Sequence, residues 1–198
     1  MSTVALTFPR RRVLADLFPR TWLADVALVV GAAALVGALA QISIPLGFTP
    51  VPITGQTLGV MLAGTALGWR RGTLAMALYV VAGVVGVPWF AHHAHGYVGG
   101  SFGYLVGFVV AGGVLGWLAS RGSDRTLVRA FVAMAVGDLI IFAIGVPWLA
   151  HVYHLSASAA LADGFTPFVG GELIKAGLAG VALPTTWRLV DRARRTRD

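Results

Sequence analysis

The chain has 198 residues, of which 57% are apolar and only 12% charged, and its mean hydropathy is +0.80; that mix excludes an ordinary soluble domain and marks an integral membrane protein. A formal charge of +7 raises nucleic acid as a partner, but the fourteen arginines flank apolar runs instead of forming a patch on a polar surface, so no nucleic-acid partner is expected. Cysteine is absent, which excludes a disulfide framework, a thiolate nucleophile and a thiolate metal site.

The stretch "RRRVLADLFPRTW", residues 10–22, precedes the first apolar run, and residues 1–23 are expected to form a basic cytoplasmic segment. The apolar run from Ala24 is too long for the core of a signal peptide and no cleavage pattern follows it, so it is expected to be retained as a transmembrane helix. In chain order, apolar runs between polar breaks predict helices near 24–44, 55–69, 72–88, 102–120, 129–149 and 167–187. The second and third are barely long enough, which predicts irregularity or partly buried loop beside them. Together the six define an all-α transmembrane domain over 24–187, followed by a basic cytoplasmic tail, 188–198, read as a solvated helix end beside anionic membrane lipid.

Charge placement sets the expected topology. Arg10, Arg11, Arg12 and Arg20 precede the first run, and Arg70 and Arg71 join the second and third. Arg121, Arg125 and Arg129 join the fourth and fifth; Arg188, Arg192, Arg194, Arg195 and Arg197 follow the sixth. The other three loops, "PLGFTPVPITGQ", "PWFAHHAHGYVGG" and "HVYHLSASAALADGF", hold no Lys or Arg. The positive-inside rule then puts both termini in the cytoplasm and those three loops outside a prokaryotic cell membrane.

Few charges lie inside the predicted spans: Asp138 in the fifth, Glu172 and Lys175 in the sixth. Each costs about 2.5–3.5 kcal/mol near mid-bilayer, so each is expected to face protein or a cavity. Lys175 is the only lysine, set in "GGELIKAG" three residues after Glu172 and on the same helix face. In "FTPF", Thr166 reads as a helix N-cap with Pro167 in the first turn, which places Lys175 roughly 12 Å below the outer helix end. A lysine there can neutralise a ligand carboxylate while the glutamate accepts ligand N–H groups. The alternative is an ion pair that only fixes helix packing. For Asp138 an interhelical partner is at least as good a reading as ligand contact.

Pro45, Pro50 and Pro52 make the first external loop a stiff extended segment, suited to a lid, with Gln56 at its end as donor and acceptor or simply as a helix start. His92, His93 and His95 of "HHAH" lack adjoining acidic ligands and helical spacing, so no metal site is expected. Trp89, Phe90, Tyr97 and Tyr104 fit an interfacial aromatic belt or the wall of an apolar pocket. Small residues recur at Gly103, Gly107 and Ala111, and at Ala27, Gly31, Ala34 and Ala38. Such faces allow internal packing, docking of a partner protein or self-association. The chain has no G-x-x-x-x-G-K-[ST], G-x-S-x-G or H-E-x-x-H, and nothing in it calls for a cofactor.

Several stretches resemble one known family: "AQISIPLGFTPVPITGQTLGVMLAG", "LGWRRGTLAMALYVVAGVVGVPWFA", "GGSFGYLVGF", "GDLIIFAIGVPWLA" and "GELIKAGLA". Almost from end to end they are similar to BioY, the biotin-binding substrate-specificity (S) component of energy-coupling-factor (ECF) vitamin transporters. The resemblance implies a six-helix S-component bundle that captures biotin from outside and associates with a transmembrane coupling subunit and two cytoplasmic ATPases. It is not itself an enzyme. The family's acid-x-x-lysine signature falls on Glu172 and Lys175, with Glu where Asp is usual, and Asp138 stands where a neutral amide is expected. On this reading Lys175 meets the valerate carboxylate and Glu172 orients polar ligand groups. Gln56 and the first loop close over the ligand, Tyr104 packs on its apolar parts, and Ala27, Gly31, Ala34 and Ala38 are docking candidates. The readings left beside it are an S component for another vitamin or carboxylate, and a membrane enzyme using Glu172 as general base.

Overall fold

The computed structural model describes residues 13–196, so Arg10, Arg11, Arg12 and Arg197 lie outside the described residues. Helix α1, Trp22–Ala40, begins where the Thr21 hydroxyl accepts the Ala24 amide at 3.2 Å, a side-chain cap for an otherwise orphaned donor. A short antiparallel pair follows, β1 at Ser43–Ile44 and β2 at Ile53–Thr54, in register Ser43 to Thr54 and Ile44 to Ile53. The proline-rich loop is thus extended, as its composition predicts, and its ends are tied into a hairpin.

Helices α2, Gln56–Leu67, and α3, Trp69–Val85, are separated only by Gly68, whose φ of +82° is open to glycine at little cost. The chain then passes through a loop to α4, Phe102–Ala119, and α5, Leu127–Tyr153. Where α2, α3 and α4 meet, Gly64, Gly72 and Gly112 let backbones touch: a Cβ on Gly64 would lie 2.9 Å from the Gly112 Cα, and one on Gly72 would lie 2.8 Å from the Gly112 oxygen. The last helix, α7, runs from Val169 to Arg195.

Six principal helices therefore occupy the six predicted runs, with two differences. First, among the described residues only α1, α4 with its preceding turn, and α5 are each long and apolar enough to cross a membrane by length and composition. Helix α2 has 12 residues and α3 has 17, and α7 carries Glu172, Lys175 and a basic end. Second, a short helix α6, Ala157–Gly164, forms inside the loop "HVYHLSASAALADGF". Eight residues, mostly alanine and other small side chains, are too few for a span-like hydropathy signal, but Ser156 caps them by accepting the Ala159 amide at 3.3 Å. Thr166 does not cap α7; its hydroxyl donates to the Leu161 carbonyl at 3.0 Å, and residues Thr166–Phe168 form a 3-10 turn before the helix starts.

The core consists of small and aliphatic side chains with Tyr79, Phe90 and Met61 among the largest fully buried. Large apolar side chains such as Leu74, Val81, Leu139 and Ile174 stay exposed around the bundle. In water such a surface invites association, whereas in lipid it is the solvated state.

Candidate functional site

At the end of the bundle away from the loop arginines, a cavity of about 220 Å³ opens beneath the hairpin. Pro50, Val51 and Pro52 roof it, Phe90, Tyr104, Phe108 and Phe142 form apolar walls, and Gln56, Thr57 and Glu172 supply polar groups. It lies just below the roughly 300–1,000 Å³ common for small-molecule pockets, with the same pattern of apolar walls and few polar groups.

One turn into α7, Glu172 and Lys175 are both buried. The Lys175 ammonium donates to Glu172 Oε1 at 2.6 Å, to the Thr57 hydroxyl at 2.6 Å and to the Thr54 carbonyl at 2.8 Å. All three of its donors are used, which is what makes a buried ammonium tolerable. One of those acceptors is the backbone of β2, so the lysine fastens the lid strand to α7. Lys175 itself sits one layer behind the cavity wall, whereas Glu172, Thr54 and Thr57 face the cavity. Asp138 lies on α5, a helix that packs against α7. The buried atoms Glu172 Oε2 and Asp138 Oδ1 make no hydrogen bond among the described residues.

A second polar chain runs beside the first. The Gln56 Nε2 group donates to the Tyr79 hydroxyl at 2.6 Å, and its Oε1 accepts the Thr54 hydroxyl at 3.1 Å. Tyr79 OH donates in turn to the Trp89 carbonyl at 3.3 Å, and Trp89 Nε1 donates back to the Tyr79 carbonyl at 2.9 Å. Gln56, the first residue of α2, thereby links the lid hairpin to the loop after α3. Tyr104 is buried in the wall, with its ring edge-on to Phe142 and its hydroxyl donating to the Gly164 carbonyl at 2.8 Å, so it pins the end of α6.

The BioY family model matches residues 10–192, nearly the whole chain. The chain belongs to the BioY family. Among its BioY relatives, "Biotin transporter BioY2" of Lactococcus lactis is 36% identical over 164 residues, spanning 81% of this chain and 88% of that protein. "Biotin transporter BioY" of Thermotoga maritima is 40% identical over 151 residues, 75% of this chain and 86% of that one. The fold is also that of a crystal structure described as the S-component for biotin from an ECF-type ABC transporter. The TM-score is 0.76 at 22% identity, over 84% of this chain and 92% of that one.

In this BioY-family chain, then, Lys175, Glu172, Gln56 and Tyr104 gather at one cavity, three of them on its wall and Lys175 directly behind it. Ala27, Gly31, Ala34 and Ala38 lie elsewhere, in an exposed row along α1. His92 lines the cavity mouth and its Nε2 meets the Ser43 hydroxyl at 3.1 Å. No cluster of three or more His, Cys, Asp or Glu able to hold a metal exists among the described residues. Sequence reasoning missed Thr57, Tyr79 and Gln41. Gln41 Nε2 donates to the carbonyls of Gly37, Trp89 and Phe90 at 2.9, 3.1 and 3.2 Å, and its Oε1 accepts the His93 amide at 3.2 Å. A lone amide at the end of an apolar helix was the available signal.

Proposed function

We propose that the protein captures biotin as the membrane-embedded S component of an ECF transporter, with Glu172, Lys175, Gln56 and Tyr104 as ligand-contacting residues. The observation that carries the reading is the buried ammonium of Lys175, coordinated by Glu172, Thr57 and the lid carbonyl of Thr54 at the polar edge of an otherwise apolar cavity. A ligand carboxylate displaces one of those oxygens and keeps the charge-assisted hydrogen bond. Glu172, released from part of that contact, accepts ligand N–H groups, and the aromatic walls cover the apolar rings.

The topology belongs to the same proposal. Six helices span the membrane, the shorter α2 and α3 being completed by protein-covered loop, with the arginine loops and both termini cytoplasmic and the cavity facing outside. Support comes from the absence of Lys and Arg in all three loops at the cavity end. A transmembrane coupling subunit docks on the exposed row Ala27, Gly31, Ala34 and Ala38, where small side chains permit close helix approach. Two ATPases bound to that subunit supply the energy for release inward.

Equilibrium binding of labelled biotin to the purified protein, beside Lys175→Ala, tests the assignment. Saturable binding in the parent and its loss in the variant are expected; binding undiminished in Lys175→Ala removes the lysine from the site, and a folded parent that binds none ends the biotin reading.

A further inference from the structure

A second concavity is larger than the cavity beneath the hairpin. It is a groove of about 1560 Å³ at the opposite, arginine-bearing end, between α1, α3 and the last turn of α4. Its upper walls are apolar and open outward: Val26 and Val30 of α1 are 51% and 49% exposed, Leu74 and Val81 of α3 are 59% and 60% exposed. Its mouth is basic, with Arg20, Arg70, Arg71 and Arg121 set against only two acids, Asp16 and Asp25. Arg71 is consumed by both acids, at 2.6 Å from Asp25 and 3.6 Å from Asp16, and forms a structural floor. Arg20, Arg70 and Arg121 make no ion pair with a carboxylate among the described residues.

The three remaining guanidiniums are arranged in a particular way. The Arg121 guanidinium carbon lies 3.4 Å over the Trp117 ring, and that of Arg70 lies 5.1 Å over Trp69. Stacking occupies the face of a guanidinium and leaves its in-plane N–H donors free, which is the geometry that takes a phosphate. Exposed tryptophans at one depth mark the headgroup level, and the apolar slot extends from there along α1 and α3 towards the bilayer centre. The volume exceeds the roughly 300–1,000 Å³ of ordinary small-molecule pockets and suits a longer amphiphile.

We propose that this groove binds an anionic phospholipid, its phosphate held by Arg20, Arg70 and Arg121 and an acyl chain lying between α1 and α3. The occupant is a lipid and not a partner helix because the walls are branched side chains, which hold helices apart. The small residues Ala27, Gly31, Ala34 and Ala38 project from α1 roughly a third of a turn away, on another face. Lipid in the groove braces α1 against α3 beside the surface that a coupling subunit would use.

The protein reconstituted into nanodiscs of equimolar phosphatidylglycerol and phosphatidylcholine, then released and analysed by native mass spectrometry, reads the site directly. The parent is expected to retain phosphatidylglycerol in preference to phosphatidylcholine. In R20Q/R70Q/R121Q that preference falls by roughly tenfold or more, while R188Q/R192Q/R194Q, which alters only the terminal end of α7, keeps it. Leu74→Trp fills the slot and leaves every guanidinium in place; it too loses the lipid. No preference in the parent, or a preference that survives in either groove variant, overturns the proposal. Weaker capture of the coupling subunit by the triple variant, with lipid retention unchanged, makes the groove a protein-docking surface instead and overturns it as well.

Discussion

The two ends of the bundle handle charge in opposite ways. At the cavity end a single ammonium is buried, and each of its donors is matched to an oxygen from a different part of the chain: α7 itself, the start of α2 and the β2 backbone. At the arginine end, Arg70 and Arg121 are exposed on tryptophan faces, and Arg71, paired with Asp25, is partly exposed. Burial makes the first arrangement sensitive to the loss of any one partner, whereas solvent and lipid headgroups buffer the second. Charge changes at the cavity end should therefore alter ligand affinity, and those at the other end should alter stability or lipid retention while leaving affinity alone.

The largest effect is expected from Lys175→Ala. Removing one member of a buried pair costs about 3–5 kcal/mol, because the partner is stranded, and here the buried Glu172 loses its ion pair. Biotin affinity should fall by roughly a hundredfold or more, with the lid hairpin released from α7 and more readily cleaved by added protease. R20Q/R70Q/R121Q, measured in parallel, should bind biotin as the parent does. Equal losses in the two variants would show that the ends are coupled and the contrast false.

Trp187→Phe probes the one deeply buried charge at the arginine end. The Trp187 indole donates to Asp124 Oδ2 at 2.5 Å, Asp124 is fully buried, and Arg125 lies 3.4 Å over the Trp187 ring. Phenylalanine keeps most of the packing and removes the donor, at a cost of about 1–3 kcal/mol. A lower melting temperature in detergent with unchanged biotin affinity is expected; a loss of affinity would mean that the interior end of α7 shapes the cavity.

The cavity end was legible in sequence exactly where a charge had to be explained. Lys175 and Glu172 stand out because an apolar helix pays to carry them, and the arginine bias marked the opposite end. Thr54 and Thr57 could not be read, since one contributes a backbone carbonyl and both lie 118 or more residues from Lys175 along the chain. Gln41 and Tyr79 have the same difficulty: an amide or a phenol is unremarkable until the carbonyls it reaches are placed beside it. Helix α6 escaped because eight residues are too few for a span-like hydropathy signal, and the lipid groove because its arginines come from three separate segments. Composition and charge disclose which residues must be paired, and only the fold discloses with what.

Gln41→Ala tests one of those unread contacts. Its side chain ties α1 to the loop carrying Trp89 and Phe90, and Phe90 forms part of the cavity wall. Losing two N–H donors shared among three carbonyls, each worth about 0.5–1.5 kcal/mol net, should loosen the loop and weaken biotin binding by roughly tenfold, mainly through faster dissociation. Unchanged dissociation would place the loop outside the binding event.

Asp138→Asn should have the smallest effect, and its sign is informative. Asp138 lies on α5, which packs against the helix carrying the Lys175–Glu172 pair, and Asp138 Oδ1 and Glu172 Oε2 have no hydrogen-bond partner among the described residues. An asparagine of the same shape replaces an acid on the neighbouring helix with a neutral group and adds an N–H donor for an unsatisfied oxygen there. Both changes favour an anionic ligand at Lys175, by about 1 kcal/mol together, so biotin affinity should stay level or rise by up to roughly fivefold. The uncharged amide of biotin, which lacks the carboxylate, should gain only the part due to a better-held Glu172. If instead Asp138→Asn weakens biotin tenfold and leaves the amide unaffected, the carboxylate is not repelled by Asp138, and Lys175 does not meet it.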